Sequence, residues 1–220
     1  MSPVIRALVV DWGGVLTAPL DGAMAGWAER EGVALAHFWE VMAQWRDPLS
    51  AYSPESPVHQ LETGDLSAAA FERELAFELA ARGSTVDPTG LLARVLAGLQ
   101  PLDPDMLRLV RRARQEGLQT ALLSNSWGEH YPDDLWADLF DVVVISGRVG
   151  LRKPMPRIFR HVCDLLGLTP PECVMVDDAP GNVQAACDVG MLGVLHRSHS
   201  ETVSRLAALG VCPATGGGAR

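Results

Sequence analysis

The chain has 220 residues, 48% of them hydrophobic and 20% charged, and its 27 acidic residues against 18 Lys and Arg leave a formal charge of -9. That length can bury a substantial core, either as one large domain or as a core carrying one insertion. The acidic balance, with no basic cluster beyond Arg108 to Arg114, argues against nucleic acid or an anionic membrane as the main partner, and no run approaches the roughly 20 apolar residues of a membrane span.

The first residues lack the basic start, apolar middle and small-residue cleavage site of a signal peptide, so the expected location is cytoplasmic. Val4 to Val10 is a short run rich in β-branched residues, which predicts a buried strand delivering Asp11 to its carboxyl end just before the turn-forming Gly13-Gly14. After Leu16 the pattern is helical, with segments at Ala23 to Glu31 and Ala36 to Trp45. A looser stretch from Asp47 to Pro57, holding three prolines, comes next. Ser67 fits an N-cap, Phe71, Leu75 and Leu79 recur at four-residue spacing, and Gly83 fits the position just past a helix end. The whole region reads as a helical insertion directly behind Asp11.

Asp103-Pro104 reads as N-cap and first helical residue, Leu107, Val110 and Ala113 supply an apolar stripe, and Gly117 ends that helix. Arg108 to Arg114 lie on its solvated face. Strands and helices then alternate. Strands are expected at Leu118 to Leu123, Asp141 to Ile145, Cys173 to Val176 and Leu192 to Leu195, and helices at Pro156 to Leu166 and Asn182 to Val189. Thr169-Pro170-Pro171-Glu172 has capping-box spacing, and Ser200 to Leu209 reads as a last helix. This alternation predicts an α/β fold, a Rossmann-like parallel sheet covered by helices on both faces. The four cysteines, Cys163, Cys173, Cys187 and Cys212, show no CxxC spacing, and buried reduced thiols are expected rather than zinc ligands or disulfides.

Ligands of an open parallel sheet bind beyond the carboxyl ends of its strands. Asp11, Ser124 and the Asp177-Asp178 pair all fall at such ends, and Lys153 comes after the third strand. A carboxylate nucleophile, a hydroxyl for phosphate oxygens, a lysine and an acidic metal site make a set suited to phosphoryl transfer.

Four segments carry a family resemblance: Val9-Val10-Asp11-Trp12-Gly13-Gly14-Val15-Leu16, Leu122-Leu123-Ser124-Asn125, Gly150-Leu151-Arg152-Lys153-Pro154, and Val174-Met175-Val176-Asp177-Asp178-Ala179-Pro180-Gly181-Asn182. In that order they resemble the four motifs of the haloacid dehalogenase superfamily. The insertion resembles that family's helical C1 cap, and Gln60 to Ser67 is similar to caps of the branch of α-glucose-1-phosphatase and the epoxide hydrolase phosphatase domain. The resemblance implies a core of residues 1–16 and 101–212, a cap of residues 17–100 and a disordered tail at 213–220.

It also implies a site. Asp11 would be the nucleophile that becomes an aspartyl phosphate. Asp177, Asp178, the Asp11 carboxylate and the Gly13 carbonyl would hold Mg²⁺, which favours hard oxygen ligands. Ser124 and Asn125 would bind the transferring phosphoryl group, Lys153 would offset the clustered negative charge, and Asn182 would orient the metal site or Lys153 by hydrogen bonding. The expected substrate is a small phosphorylated metabolite, including an anomeric sugar phosphate, and the expected assembly a monomer or homodimer.

One position departs from the family. Its phosphatases place a general acid and base two residues after the nucleophile, where this chain has Gly13. Such catalysis is worth about 10² to 10⁴ in rate. A left-handed backbone at Gly13, or crowding by Trp12 and the cap, would resist a side chain there. Besides a phosphatase, the sequence admits a dehalogenase, which needs no acid but also no metal pair, and a catalytically impaired binding module. Trp45, His59, Trp127, His130 and Tyr131 are candidates for specificity, with His59 or Asp65 as alternative proton donors.

Overall fold

The computed structural model describes residues 4–45, 56–99, 102–128, 131 and 136–211. Five strands form one parallel sheet in the order β3-β2-β1-β4-β5: β1 (Ala7–Val10), β2 (Gln119–Ser124), β3 (Val142–Ile145), β4 (Cys173–Asp177) and β5 (Leu192–Leu195). In β1, Val9 lies opposite Ala121 of β2 and Met175 of β4. The chain order reverses direction around β1, which puts the switch point, and therefore the ligand crevice, beside Asp11.

Both faces of the sheet are buried, so β1 reads as a continuous apolar run whose residues alternate between two cores. Leu8 and Val10 face one core with Leu122, Val174 and Val176, together with Met106, Leu109 and Val110 of a covering helix. Ala7 and Val9 face the other, with Leu123, Met175 and the Ile158, Phe159 and Val162 side of a second helix. Trp12, Val15 and Leu16 continue the first core past the end of β1.

Between β1 and Leu102 the described residues form five α-helices: α1 (Leu20–Glu31), α2 (Leu35–Trp45), α3 (Pro57–Thr63), α4 (Ala68–Ala81) and α5 (Leu91–Leu96). They enclose a separate apolar cluster built on Trp27, Phe38, Phe71, Leu75 and Leu79. The stretch enters and leaves the core at one place, where Thr17 and Leu102 form an isolated bridge and Asp103 N donates to Leu16 O at 2.9 Å.

The second half contains α6 (Pro104–Gln115), α7 (Trp136–Leu139), α8 (Ser146–Val149), α9 (Pro156–Leu166), α10 (Pro180–Asp188) and α11 (His199–Ala208). Asp103 caps α6 by accepting from Asp105 N and Met106 N, Ser67 caps α4, and Gly83 holds a φ of 93° just beyond α4. The Thr169 capping box forms too, but Pro170 and Pro171 restrict the helix it opens to the single 3₁₀ turn Pro170–Glu172.

The arginine run on α6 is solvated and paired, with Arg112 Nε 2.7 Å from Glu116 and Arg114 Nη2 3.0 Å from Asp141. Cys163 and Cys173 are buried thiols with Sγ atoms 3.8 Å apart. Cys187, expected to be buried, is exposed: it stands near the end of α10, where Ala186 turns inward in its place. Cys212, the 213–220 tail, His130 and most of the proline-containing stretch after Asp47 lie outside the described residues.

Candidate active site

Asp11 comes directly after β1, and its N–H extends the ladder by donating to Val176 O at 3.0 Å. One carboxylate oxygen accepts from Trp12 N at 2.6 Å, which fixes the rotamer. The next residues turn sharply, with Gly14 N donating to Thr17 Oγ1 at 3.0 Å. Gly14 has a φ of 74°, and a Cβ there would lie 2.2 Å from Asp178 Oδ2. Glycine at this position is what lets the Asp178 carboxylate lie against the backbone behind Asp11. Gly13 differs: its φ is outside the left-handed region, and a Cβ there would meet no described residue within 4 Å other than its chain neighbours. The left-handed backbone anticipated at Gly13 is therefore absent, and no described cap residue crowds that Cβ.

Ser124 and Asp177 end the strands on either side of β1. Lys153 arrives from the loop between α8 and α9. Asn125 grips that loop from both sides, accepting from Lys153 N at 2.8 Å and donating Nδ2 to Lys153 O at 2.9 Å. Its side chain is therefore directed to Lys153. The Lys153 ammonium, 1% exposed, lies 2.8 Å from Asp11 Oδ1 and 2.7 Å from Asp177 Oδ2. Asp177 also accepts from Ala179 N at 2.9 Å, and Asn182 Nδ2 donates to its two oxygens at 3.0 and 3.1 Å. Asp178, beside it, is exposed to the cleft.

Asp11, Asp177 and Asp178 can bring carboxylate oxygens within 4.8 Å of one another. One ammonium faces three carboxyl groups, so the cluster is short of positive charge. Burial, reinforced by Asp177 and Asp178, pushes the Asp11 carboxyl up to about 8 despite the opposing pull of Lys153. Asp178, open to the cleft at its surface, is raised by partial desolvation against the site floor and by Asp177. Burial alone would lower Lys153, yet Asp11 and Asp177 outweigh it and hold the ammonium charged. An all-oxygen site short of positive charge suits a divalent hard cation such as Mg²⁺.

These groups form the floor of a cleft of about 540 Å³. Its walls include Trp127, Tyr131 and, from the helical insertion, Leu96, Leu99 and Glu62. Ser124 Oγ lies 2.9 Å from the Tyr131 hydroxyl, whose ring packs against Trp12 and Trp136 with centroids 5.8 Å apart in each case. Of the other specificity candidates, Trp45 packs on Phe71 inside the insertion, and His59 is buried in α3 away from the cleft lining. Asp65 is exposed and accepts from Thr63 Oγ1 at 2.6 Å.

Two cleft residues were not anticipated. Glu62 on α3 is buried, and its Oε2 lies 2.7 Å from Arg152 Nε. Its Oε1 lies 3.4 Å from Trp127 Nε1, and its carbonyl accepts from Ser146 Oγ. Gly64 abuts the Gly147 carbonyl, which a Cβ would approach to 2.7 Å. These contacts join the insertion to the loop that carries Lys153. The available signal was Arg152 itself, a second cation next to a buried lysine.

The chain is similar to several known proteins. Rat bifunctional epoxide hydrolase 2 is 26% identical over 92% of this chain, and mouse acyl-CoA dehydrogenase family member 10 is 29% identical over 93% of it. The chain spans only 38% and 19% of those two proteins. A phosphoserine phosphatase from Thermus thermophilus is 39% identical over 36% of this chain and 34% of its own. In fold, the chain is similar to a family enzyme from Bacteroides thetaiotaomicron solved with magnesium and inorganic phosphate, at a TM-score of 0.62 and 20% identity over 88% of this chain and 94% of that one. The family model for haloacid dehalogenase-like hydrolases matches residues 5–190, and the chain belongs to that family.

Proposed function

We propose that the protein is a Mg²⁺-dependent phosphomonoester hydrolase that acts on a small phosphorylated metabolite through an aspartyl phosphate on Asp11. The observation that carries this is the Lys153 ammonium held between Asp11 and Asp177, with Asp178 beside them and Ser124 across the cleft. Asp11, the Gly13 carbonyl, Asp177 and Asp178 would hold the ion. Bound there, Mg²⁺ would supply Lewis-acid stabilisation of the phosphoryl oxygens.

The chain's own groups do the rest. Lys153 and the Trp12 N–H hold the Asp11 carboxylate in one orientation for attack on phosphorus. Ser124 Oγ and the Asn125 main chain bind the transferring group, while the Asn125 side chain keeps Lys153 in place. Asn182 and Ala179 N donate to Asp177 and orient its carboxylate toward Lys153. Glu62, Trp127, Leu96 and Leu99 enclose the leaving group. We assign residues 1–16 and 101–212 to the core and 17–100 to a C1-type cap, a division supported by the cap's own apolar cluster. The presence of both Asp177 and Asp178 weighs against a dehalogenase, which needs no metal.

Phosphate release across a panel of phosphorylated metabolites, with Mg²⁺ and with EDTA, tests this. Metal-dependent release that disappears in Asp11→Asn is expected. Halide release from 2-haloacids without phosphate release would refute it.

A further inference from the structure

The cleft lacks an acid where this family's phosphatases carry one, because Gly13 has no side chain and no described residue beyond its chain neighbours comes within 4 Å of where its Cβ would stand. Expulsion of an alkoxide still requires a proton. Among the described lining residues few groups can give one. Lys153 is held by two carboxylates, Asp178 belongs to the cation site, and Glu62 is ion-paired to Arg152. His59 and Asp65 stand off the cleft. The Tyr131 hydroxyl remains. It faces the cleft with Asp11, lies 2.9 Å from Ser124 Oγ, and is carried on a ring packed against both Trp12 and Trp136.

Resting on the phosphatase reading above, we propose that Tyr131 is the general acid and base of this site, standing in for the side chain that Gly13 lacks. As an Asp11 oxygen bonds to phosphorus, the bond from phosphorus to the ester oxygen breaks and its electron pair stays on that oxygen. The Tyr131 O–H proton passes to it, releasing the alcohol and leaving a tyrosinate. A water oxygen then attacks phosphorus, and its proton returns to Tyr131. The bond between Asp11 and phosphorus breaks, which restores the carboxylate and releases inorganic phosphate.

The chemistry predicts selectivity. Burial holds the Tyr131 phenol above its usual range, so the hydroxyl stays protonated near neutral pH. A phenol is a stronger acid than an alkyl alcohol and a weaker one than 4-nitrophenol. Its proton therefore assists alkyl leaving groups and does little for 4-nitrophenolate.

The test compares the Mg²⁺-loaded wild type and Tyr131→Phe on 4-nitrophenyl phosphate and on a primary alkyl phosphate. The readout is the ratio of the two kcat/KM values, which does not depend on the fraction of protein folded. The ratio of alkyl to aryl turnover should fall about 10²-fold in Tyr131→Phe. Adding Gly13→Asp to that variant should recover it. An unchanged ratio overturns the proposal, because a merely structural role would slow both esters alike. Wild type that turns over neither ester, in Mg²⁺ and across the metabolite panel, would instead remove the phosphatase reading on which the proposal stands.

Discussion

Replacing Gly13 with Asp should add an acid and base to the site without disturbing the fold. The φ at Gly13 lies outside the left-handed region, and a Cβ there meets no described residue within 4 Å beyond its chain neighbours, so the first side-chain atom has room. The new carboxyl would stand beside Asp11, Asp177 and Asp178, whose negative charge favours its protonated form, the form that donates to a leaving group. The lower end of the general acid-base range, about 10², corresponds to roughly 2.7 kcal/mol of barrier. Rapid-mixing kinetics on a leaving-group series, with the aspartyl phosphate tracked by acid quench, separates the two steps. Wild type should show a burst of 4-nitrophenolate and then slow phosphoenzyme decay. Gly13→Asp should flatten the leaving-group dependence and quicken that decay, most of all in a Tyr131→Phe background. A folded, Mg²⁺-loaded Gly13→Asp with neither change would refute the idea that proton transfer limits this site.

Asp11→Asn should abolish turnover and phosphoenzyme formation while leaving the circular dichroism spectrum and melting curve close to wild type, since the amide keeps the shape but cannot attack phosphorus; measurable hydrolysis would sink the nucleophile assignment. Asp178→Ala should weaken Mg²⁺ binding at least tenfold by calorimetry, because it removes an exposed carboxylate from a cluster of three; an unchanged isotherm would place the ion elsewhere. Gly14→Ala should cost about 1–2 kcal/mol for its left-handed backbone alone, a fall of roughly 2–8 °C in melting temperature, and should also displace Asp178. A Gly14→Ala protein with wild-type melting and wild-type Mg²⁺ affinity would contradict the close approach.

Strand ends were the most legible part of the chain, because a parallel strand buried on both faces is a bare apolar run and its first polar residue marks the crevice. The runs before Asp11, Ser124 and Asp177 place those residues at adjacent strand ends, and Pro156–Leu166 and Leu192–Leu195 lie at the expected positions. The helix α3 left no such trace. It is seven residues long, opens on Pro57 and buries Glu62 alongside Val58 and Leu61, so its polar composition reads as surface. That burial depends on Arg152, ninety positions away, and periodicity carries no information about such a partner. His59, a candidate for specificity by its chemistry, is buried on α3 and is absent from the cleft lining. Nor can a Gly-Gly pair reveal which member takes the left-handed conformation. That is settled by Asp178 pressing on Gly14 from a distant strand end.

The bridge between Thr17 and Leu102 makes residues 18–101 a loop whose two ends are already neighbours. Closing such a loop costs entropy that grows only with the logarithm of its length, about 0.6 kcal/mol for each doubling. To the sheet, therefore, the identity and size of what is threaded through that gate are nearly a matter of indifference. A shorter or differently built insert between the same two residues would leave the β1–β2 register and the Lys153–Asp11 contact standing, and would change chiefly what is admitted above them. Evolution can thus exchange the upper half of such a molecule wholesale, whereas the floor can change only one atom at a time.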